Sequence, residues 1–258
     1  MTQETGRVLI GTSGWSYGHW RQVFYPEALP ARDRLVYYAT EFPTVEINST
    51  FYHLPRETTV ASWARSTPSD FCFAVKVSGY ITHRLRLRGC EEPLRAFVRV
   101  VGGLGSKLGP LLFQLPPSLR RDPGLLAEFV GLLMESLAPL PNQPRVAFEF
   151  RHQSWYQEEV FQLLASQGVA LCVHDFRDCE APFRLTSSFA YVRLHGPQRP
   201  YTGSYGTEYL DRLANELRAW AASGQDSYVY FNNDVAGHAV CNARELRRRV
   251  DELLSAHG

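Results

Sequence analysis

With 258 residues, 45% of them hydrophobic and 13% aromatic, the chain has material for one large core at a length where α/β barrels of ~250 residues are routinely single domains. A formal net charge of +1 gives no overall electrostatic case for nucleic acid or membrane as a partner. The five cysteines are odd in number and form no Cys-x-x-Cys pair, which argues against a disulfide framework or thiolate zinc site and for a reducing compartment. The leading MTQETGR has no apolar centre of the kind a signal peptide needs. No apolar run approaches the ~20 residues of a membrane span, so a cytoplasmic protein without membrane association is expected.

In chain order, short apolar runs alternate with helical patterns. Val8–Gly11 reads as a first strand, followed by the loop TSGWSYGHW and a helix over Arg32–Glu41. Thr44–Ile47 is the second strand, leading through NSTFYHLP to a helix over Glu57–Arg65 that stops before Pro68. Phe71–Val77 is the third, with a helix over Pro93–Val101. Pro110–Leu115 is the fourth, ended by Pro116-Pro117, whose missing amides preclude a continued ladder. Asp122-Pro123 has the form of an N-cap with proline at the first helical position. Val146–Phe150 is the fifth strand, and a helix over Tyr156–Ala165 is closed by Gly168. Ala170–Val173 is the sixth, followed by a piece too short for a full crossover helix. Ala190–Leu194 and Tyr228–Phe231 are the seventh and eighth, each with a long helical stripe after it. Eight strands and about eight helices without a Pro/Ser-rich linker fit one α/β domain over 1–258, a (β/α)8 barrel of the TIM type with an irregular crossover after strand six. The rival, a doubly wound open sheet, lacks any Gly-x-Gly-x-x-Gly after a strand.

The stretch Arg145–Trp155, RVAFEFRHQSW, organises the rest. Side chains alternate across a strand, so Ala147, Glu149 and Arg151 share one face, opposite Val146, Phe148 and Phe150. A carboxylate and a guanidinium on one face suit a barrel lining that ends in a site. Other strands repeat the pattern: Thr44, Glu46 and Asn48; Cys72, Ala74 and Lys76; Leu112 and Gln114; Tyr191, Arg193 and His195; Tyr228, Tyr230 and Asn232. In strand six either His174 or Asp175 is the inward residue.

The motifs GTSGWSYGHW, VEINSTFYHLP, ITHRLRL, LLFQLPPSL, AFEFRHQSW, YVRLHG, TGSYG and YFNND occur in this order. The set, spanning about Val8 to Val250, resembles that of the YecE-like family of unknown function. The resemblance implies a TIM barrel with its site at the carboxyl-terminal face, and no established reaction.

Glu46 and Glu149 are the candidates for paired acid/base carboxylates, with His195 as a further proton carrier near neutral pH. Lys76, Arg151 and Arg193 among them favour an anionic phosphate or carboxylate; the structural alternative is a pair of internal ion bridges. Thr12, Ser13, Trp15, Asn48, Tyr52, Gln114, Asp175, Tyr205 and Asn232 complete the candidate binding set. The turn Gly11–Gly14 offers amides and hydroxyls to an anion. His174, Asp175, His195, Asp234 and His238 are metal-ligand types, but a cationic lining opposes a divalent ion, so neither metal nor cofactor is expected. Of the loop aromatics Trp15, Tyr17, Trp20, Phe51, Tyr52, Trp155, Tyr201 and Tyr205, half are expected to pack and half to face ligand. The expected function is metal-independent acid/base chemistry, as a hydrolase or lyase, on a small anionic sugar-like or nucleotide-like substrate. Two alternatives stand beside it. One is a nucleic-acid binder or barrel-type nuclease using the basic rim Arg84, Arg86, Arg88, Arg120 and Arg121; the other is a non-catalytic ligand-binding barrel.

Overall fold

A computed structural model describes residues 5–256. The eight apolar runs form strands β1 (Val8–Thr12), β2 (Thr44–Ile47), β3 (Cys72–Lys76), β4 (Leu108–Gln114), β5 (Val146–Glu149), β6 (Ala170–His174), β7 (Phe189–Leu194) and β8 (Asp226–Phe231). Between and after them lie α1 (Arg34–Glu41), α2 (Glu57–Arg65), α3 (Glu91–Gly102), α4 (Pro123–Leu137), α5 (Glu158–Ser166), α6 (Thr207–Ala222) and α7 (His238–Ser255). The strands form one sheet in the order β1-β8-β7-β6-β5-β4-β3-β2, all pairings parallel. This is a (β/α)8 barrel with one helix missing. The segment between β6 and β7 runs without a helix, as its length suggests. Its tether is Thr186, whose Oγ1 accepts from Leu171 N and donates to Val169 O, both at 2.7 Å.

Helix ends follow local chemistry. Asp122 accepts from Leu125 N at 3.0 Å and Pro123 opens α4. The fourth strand starts earlier than its apolar run, at Leu108, because the β3–β4 register shifts between Phe73 and Val75. Pro110, which has no amide to donate, sits within that irregularity.

Two cores are separated by the sheet. Between sheet and helices, Phe113 stacks on Phe148 at 5.1 Å and both meet Phe129 edge-on. Inside the barrel, Leu9, Phe189, Tyr191, Tyr228 and Tyr230 fill space left by Ala74, Ala147 and Ala170. Large rings opposite alanines pack a lumen too narrow for large residues on every strand. The buried carboxylates Glu46 and Glu149 stand in the layer above, toward the carboxyl-terminal end, while Arg145 bonds Asp226 and Tyr228 at the opposite end.

Closure between β1 and β2 is the exception in the wall. One bridge, Ser13 to Glu46, joins them, with Gly14 N donating to Glu46 O at 2.8 Å. Below it the buried hydroxyl of Tyr38 is wedged into the seam. It accepts from Thr12 N at 2.9 Å and lies 3.1 Å from Thr44 O. Gly11 is required here, since a Cβ would stand 2.1 Å from Thr44 O. Tyr38→Phe leaves buried backbone groups unpaired, so we expect a loss of about 1–3 kcal/mol, read from urea unfolding with an unchanged slope.

Candidate functional site

Above the tyrosine layer, Arg193 reaches across the barrel. Its NH1 donates to Glu149 Oε2 at 2.6 Å and its NH2 to Glu46 Oε1 at 2.8 Å, and all three side chains are fully buried. Glu46 also accepts from Tyr191 Oη at 2.7 Å and from the Ser13 hydroxyl. The other oxygen of Glu149 is held by Arg151 Nε, with His195 Nε2 3.5 Å away. The Arg151 guanidinium lies 3.7 Å from the centre of the Phe176 ring. These bonds come from β1, β2, β5 and β7, so one ionic network ties half the barrel together.

Burial alone would raise the Glu149 pKa, but Arg151 and Arg193 hold it well below the carboxylate range. Burial opposes the charge of Arg193, and Glu149 and Glu46 override it, raising its pKa further. His195 is pushed well below the ordinary histidine value, first by burial, and is therefore neutral. Its Nδ1 is 3.1 Å from the Asn232 amide.

Lys76 completes the layer and differs from the rest. Its Nζ stands 4.2 Å over the Phe51 ring, with no carboxylate bridge among the described residues. Burial, then the charge of Arg193, bring its pKa down to about 7. Three cations (Lys76, Arg151, Arg193) thus face two carboxylates. Lys76 also lines a cleft of about 480 Å3 at the mouth, together with Trp15, Tyr17, Asn48, Tyr52, Tyr201 and Asn232.

The candidates from sequence fall into three groups. Trp15, Asn48, Tyr52, Lys76 and Asn232 line the cleft. Ser13, Glu46, Glu149, Arg151, Arg193 and His195 lie in the layer beneath. Thr12, Gln114, Asp175 and Tyr205 point elsewhere. Thr12 belongs to the β1–β2 seam, and Gln114 Nε2 donates to Leu115 O at 3.3 Å. Asp175 accepts from the Tyr205 hydroxyl and from His195 N at 2.6 Å, fixing the turn after β7. Between the two inward candidates of strand six, His174 continues the register of Ala170 and Cys172.

The turn Gly11–Gly14 is not an anion cradle. Thr12 N is spent on Tyr38 Oη, Ser13 N on Phe231 O and Gly14 N on Glu46 O. Of the loop aromatics, Trp20, Trp155 and Tyr205 are buried and Phe51 underlies Lys76, whereas Trp15, Tyr17, Tyr52 and Tyr201 line the cleft. Tyr17 and Tyr201 were legible only as loop aromatics, and Phe176, the platform of Arg151, gave no sequence signal.

Glu149, His174 and His195 place ligand-type atoms within 4.8 Å of one another. A divalent ion needs free lone pairs there. His174 Nε2 faces the Phe150 carbonyl at 2.9 Å and so carries its hydrogen, while Nδ1 accepts from Phe176 N at 3.2 Å. With Glu149 taken by two guanidiniums, the trio as arranged does not offer a ligand set. Asp234 pairs with His19 at 3.4 Å.

A family model described as "Protein of unknown function DUF72" matches residues 9–257. The chain belongs to the DUF72 family. Among DUF72 relatives, UPF0759 protein YunF of Bacillus subtilis is 24% identical over 95% of this chain and 95% of its own. UPF0759 protein YecE of Escherichia coli K12 is 27% identical over 67% of this chain and 61% of its own. A solved DUF72 protein from Thermotoga maritima superimposes with a TM-score of 0.83 at 32% identity, covering 95% of this chain and 99% of that one. The motif resemblance and the barrel thus agree with this DUF72 membership.

Two variants probe the charged layer. Glu149→Gln leaves Arg151 and Arg193 short of a buried partner, so we expect a loss of ~3–5 kcal/mol in urea unfolding. Lys76→Met removes a buried amine whose pKa is lowered on folding. Between about 7 and the ordinary lysine value near 10.4 the unfolded chain binds the extra proton, so wild-type stability rises with pH. The variant should therefore melt higher than wild type at neutral pH, with the gap closing as pH increases.

Proposed function

We propose that this DUF72 protein is a metal-independent enzyme that binds a small anionic, sugar-like or nucleotide-like molecule in the cleft at the carboxyl-terminal mouth. The observation that carries this reading is Lys76, an amine on the cleft wall beside two guanidiniums and with no carboxylate bridge among the described residues. An anion entering there supplies the missing charge and replaces the water it displaces with a charge-assisted bond. Trp15, Tyr17, Tyr52 and Tyr201 offer ring faces for a sugar or base, and Asn48 and Asn232 offer amides for hydroxyls.

Within this reading the buried pair Glu46 and Glu149 acts as fixed counter-charge for Arg193 rather than as the proton carrier. A fully buried carboxylate held ionised by two guanidiniums is a poor acid and a poor base. The group poised to exchange a proton near neutral pH is Lys76. His195, neutral and bonded through Asn232 to the cleft, assists.

The basic rim supports the nucleic-acid alternative with an observation of its own, because Arg84, Arg86, Arg88, Arg120 and Arg121 are all exposed. Arg88 is paired with Asp122 and Arg121 with Glu159, which weakens the patch. Tight binding of a single-stranded oligonucleotide with a steep salt slope would favour that alternative.

The primary test is calorimetry with inorganic phosphate, sugar phosphates and nucleoside monophosphates. A ligand should bind wild type but not Lys76→Met. Its affinity should fall as pH rises through about 7 and survive exhaustive chelation. Ligands that bind both proteins equally, or binding restored only by added metal, would overturn the reading.

A further inference from the structure

Of the 27 basic residues, only Lys76 and Lys107 are lysines. Lys107 is fully used: its Nζ donates to Thr67 O at 2.6 Å and Thr67 Oγ1 at 3.1 Å, and also to Ala64 O, capping the end of α2. Among the described residues Lys76 Nζ has no such acceptors. It is held over an aromatic face, near Arg193 and Arg151, on the wall of the mouth cleft. An arginine there would be a permanent charge; a lysine can release its proton and expose a lone pair. Desolvation beside other cations is the arrangement that turns an amine into a nucleophile.

We propose that Lys76 is a nucleophilic amine that forms an imine with a small anionic aldehyde or ketone bound in the cleft. This rests on the anion-binding reading above and adds the carbonyl to it. The neutral Nζ attacks the carbonyl carbon, the C–N bond forms, and the π pair moves to oxygen. The carbinolamine then loses that oxygen as water, carrying away the two amine hydrogens. The imine that remains takes a proton from solvent to become an iminium. No oxidant or reductant enters. Asn48 and Asn232 offer amide groups to the carbonyl oxygen, and the positive surround holds the anionic end.

Support also comes from what the cleft lacks. Among the described residues no carboxylate lines it, so before the ligand enters the amine is not drawn into an ion pair that would keep it protonated. The depressed pKa of about 7 leaves a large neutral fraction at physiological pH.

The test incubates the full chain with pyruvate, with glyceraldehyde 3-phosphate, and with acetone as an uncharged control, each with sodium cyanoborohydride. Adducts are located by peptide mapping. We expect a single reduced adduct at Lys76 with an anionic probe, on the order of tenfold or more faster than at Lys107 near pH 7. It should be absent in Lys76→Met, and its rate should climb through pH about 7. Formaldehyde, small enough to reach any open amine, gives a probe-independent check. The carbon resonance of reductively methylated Lys76 should titrate near 7. Equal labelling of both lysines, or a Lys76 resonance that titrates near the free-lysine value of about 10.4, overturns the imine. If anionic probes raise the melting temperature of wild type yet leave no adduct, the imine fails while anion binding stands. If none of the anions binds by calorimetry, both fall.

Discussion

Arg193 joins Glu46 and Glu149 through bonds of 2.8 and 2.6 Å in a layer that solvent does not reach. Three ions in the middle of a barrel are expensive unless each finds partners; here both carboxylates and the two terminal nitrogens of Arg193 do, while Arg193 Nε is buried without one. Tyr191 and Ser13 satisfy Glu46, and Arg151 satisfies Glu149. The arrangement sets the height of everything above it. It spaces β2, β5 and β7, forms the base on which Arg151 and His195 rest, and leaves Lys76 as the charge left over. A positive remainder at the mouth is thus a product of how the lumen is neutralised.

That remainder singles out one side chain in the layer. The carboxylates and guanidiniums beneath the cleft hold one another in fixed charge states and so cannot change them cheaply. Lys76 has an aromatic ring instead of a counter-ion and sits within reach of the same guanidinium field. A network that is rigid in charge leaves the one loosely held ionisable group to respond to what binds. Fixed charge thus lies below and a titratable amine above, at the mouth of the cleft.

Much of this was legible from residue order. A period of two put Glu46, Lys76, Glu149, Arg151 and Arg193 on one face, because a strand leaves no other choice, and the lumen did collect them. The missing helix after strand six was legible from the few residues available to it. Periodicity gives a face but neither height nor reach, so it did not reveal that Arg193 would span to both glutamates. Nor could it separate Lys76, on the cleft wall, from the carboxylates sealed beneath. Thr12 and the amides of Gly11–Gly14 were misread because the seam that consumes them depends on Tyr38, brought in from a helix by tertiary packing. Asp175 and Tyr205 satisfy each other for a similar reason: two loops meet, and no local pattern announces it.

The weak join between β1 and β2 bears on the order in which the barrel assembles. A strand normally secures itself on its neighbour in sequence, but β1 has a single bridge and one tyrosine hydroxyl on that side. Its full ladder is with β8, Val8 to Thr12 against Ser227 to Phe231. The loop that this pairing closes is nearly the whole chain, and contacts so distant in sequence form slowly. Until β8 is in place, β1 and the GTSGWSYGHW loop that follows it lack their main support. The cleft wall supplied by Trp15 and Tyr17 therefore depends on closure of the ring for its support.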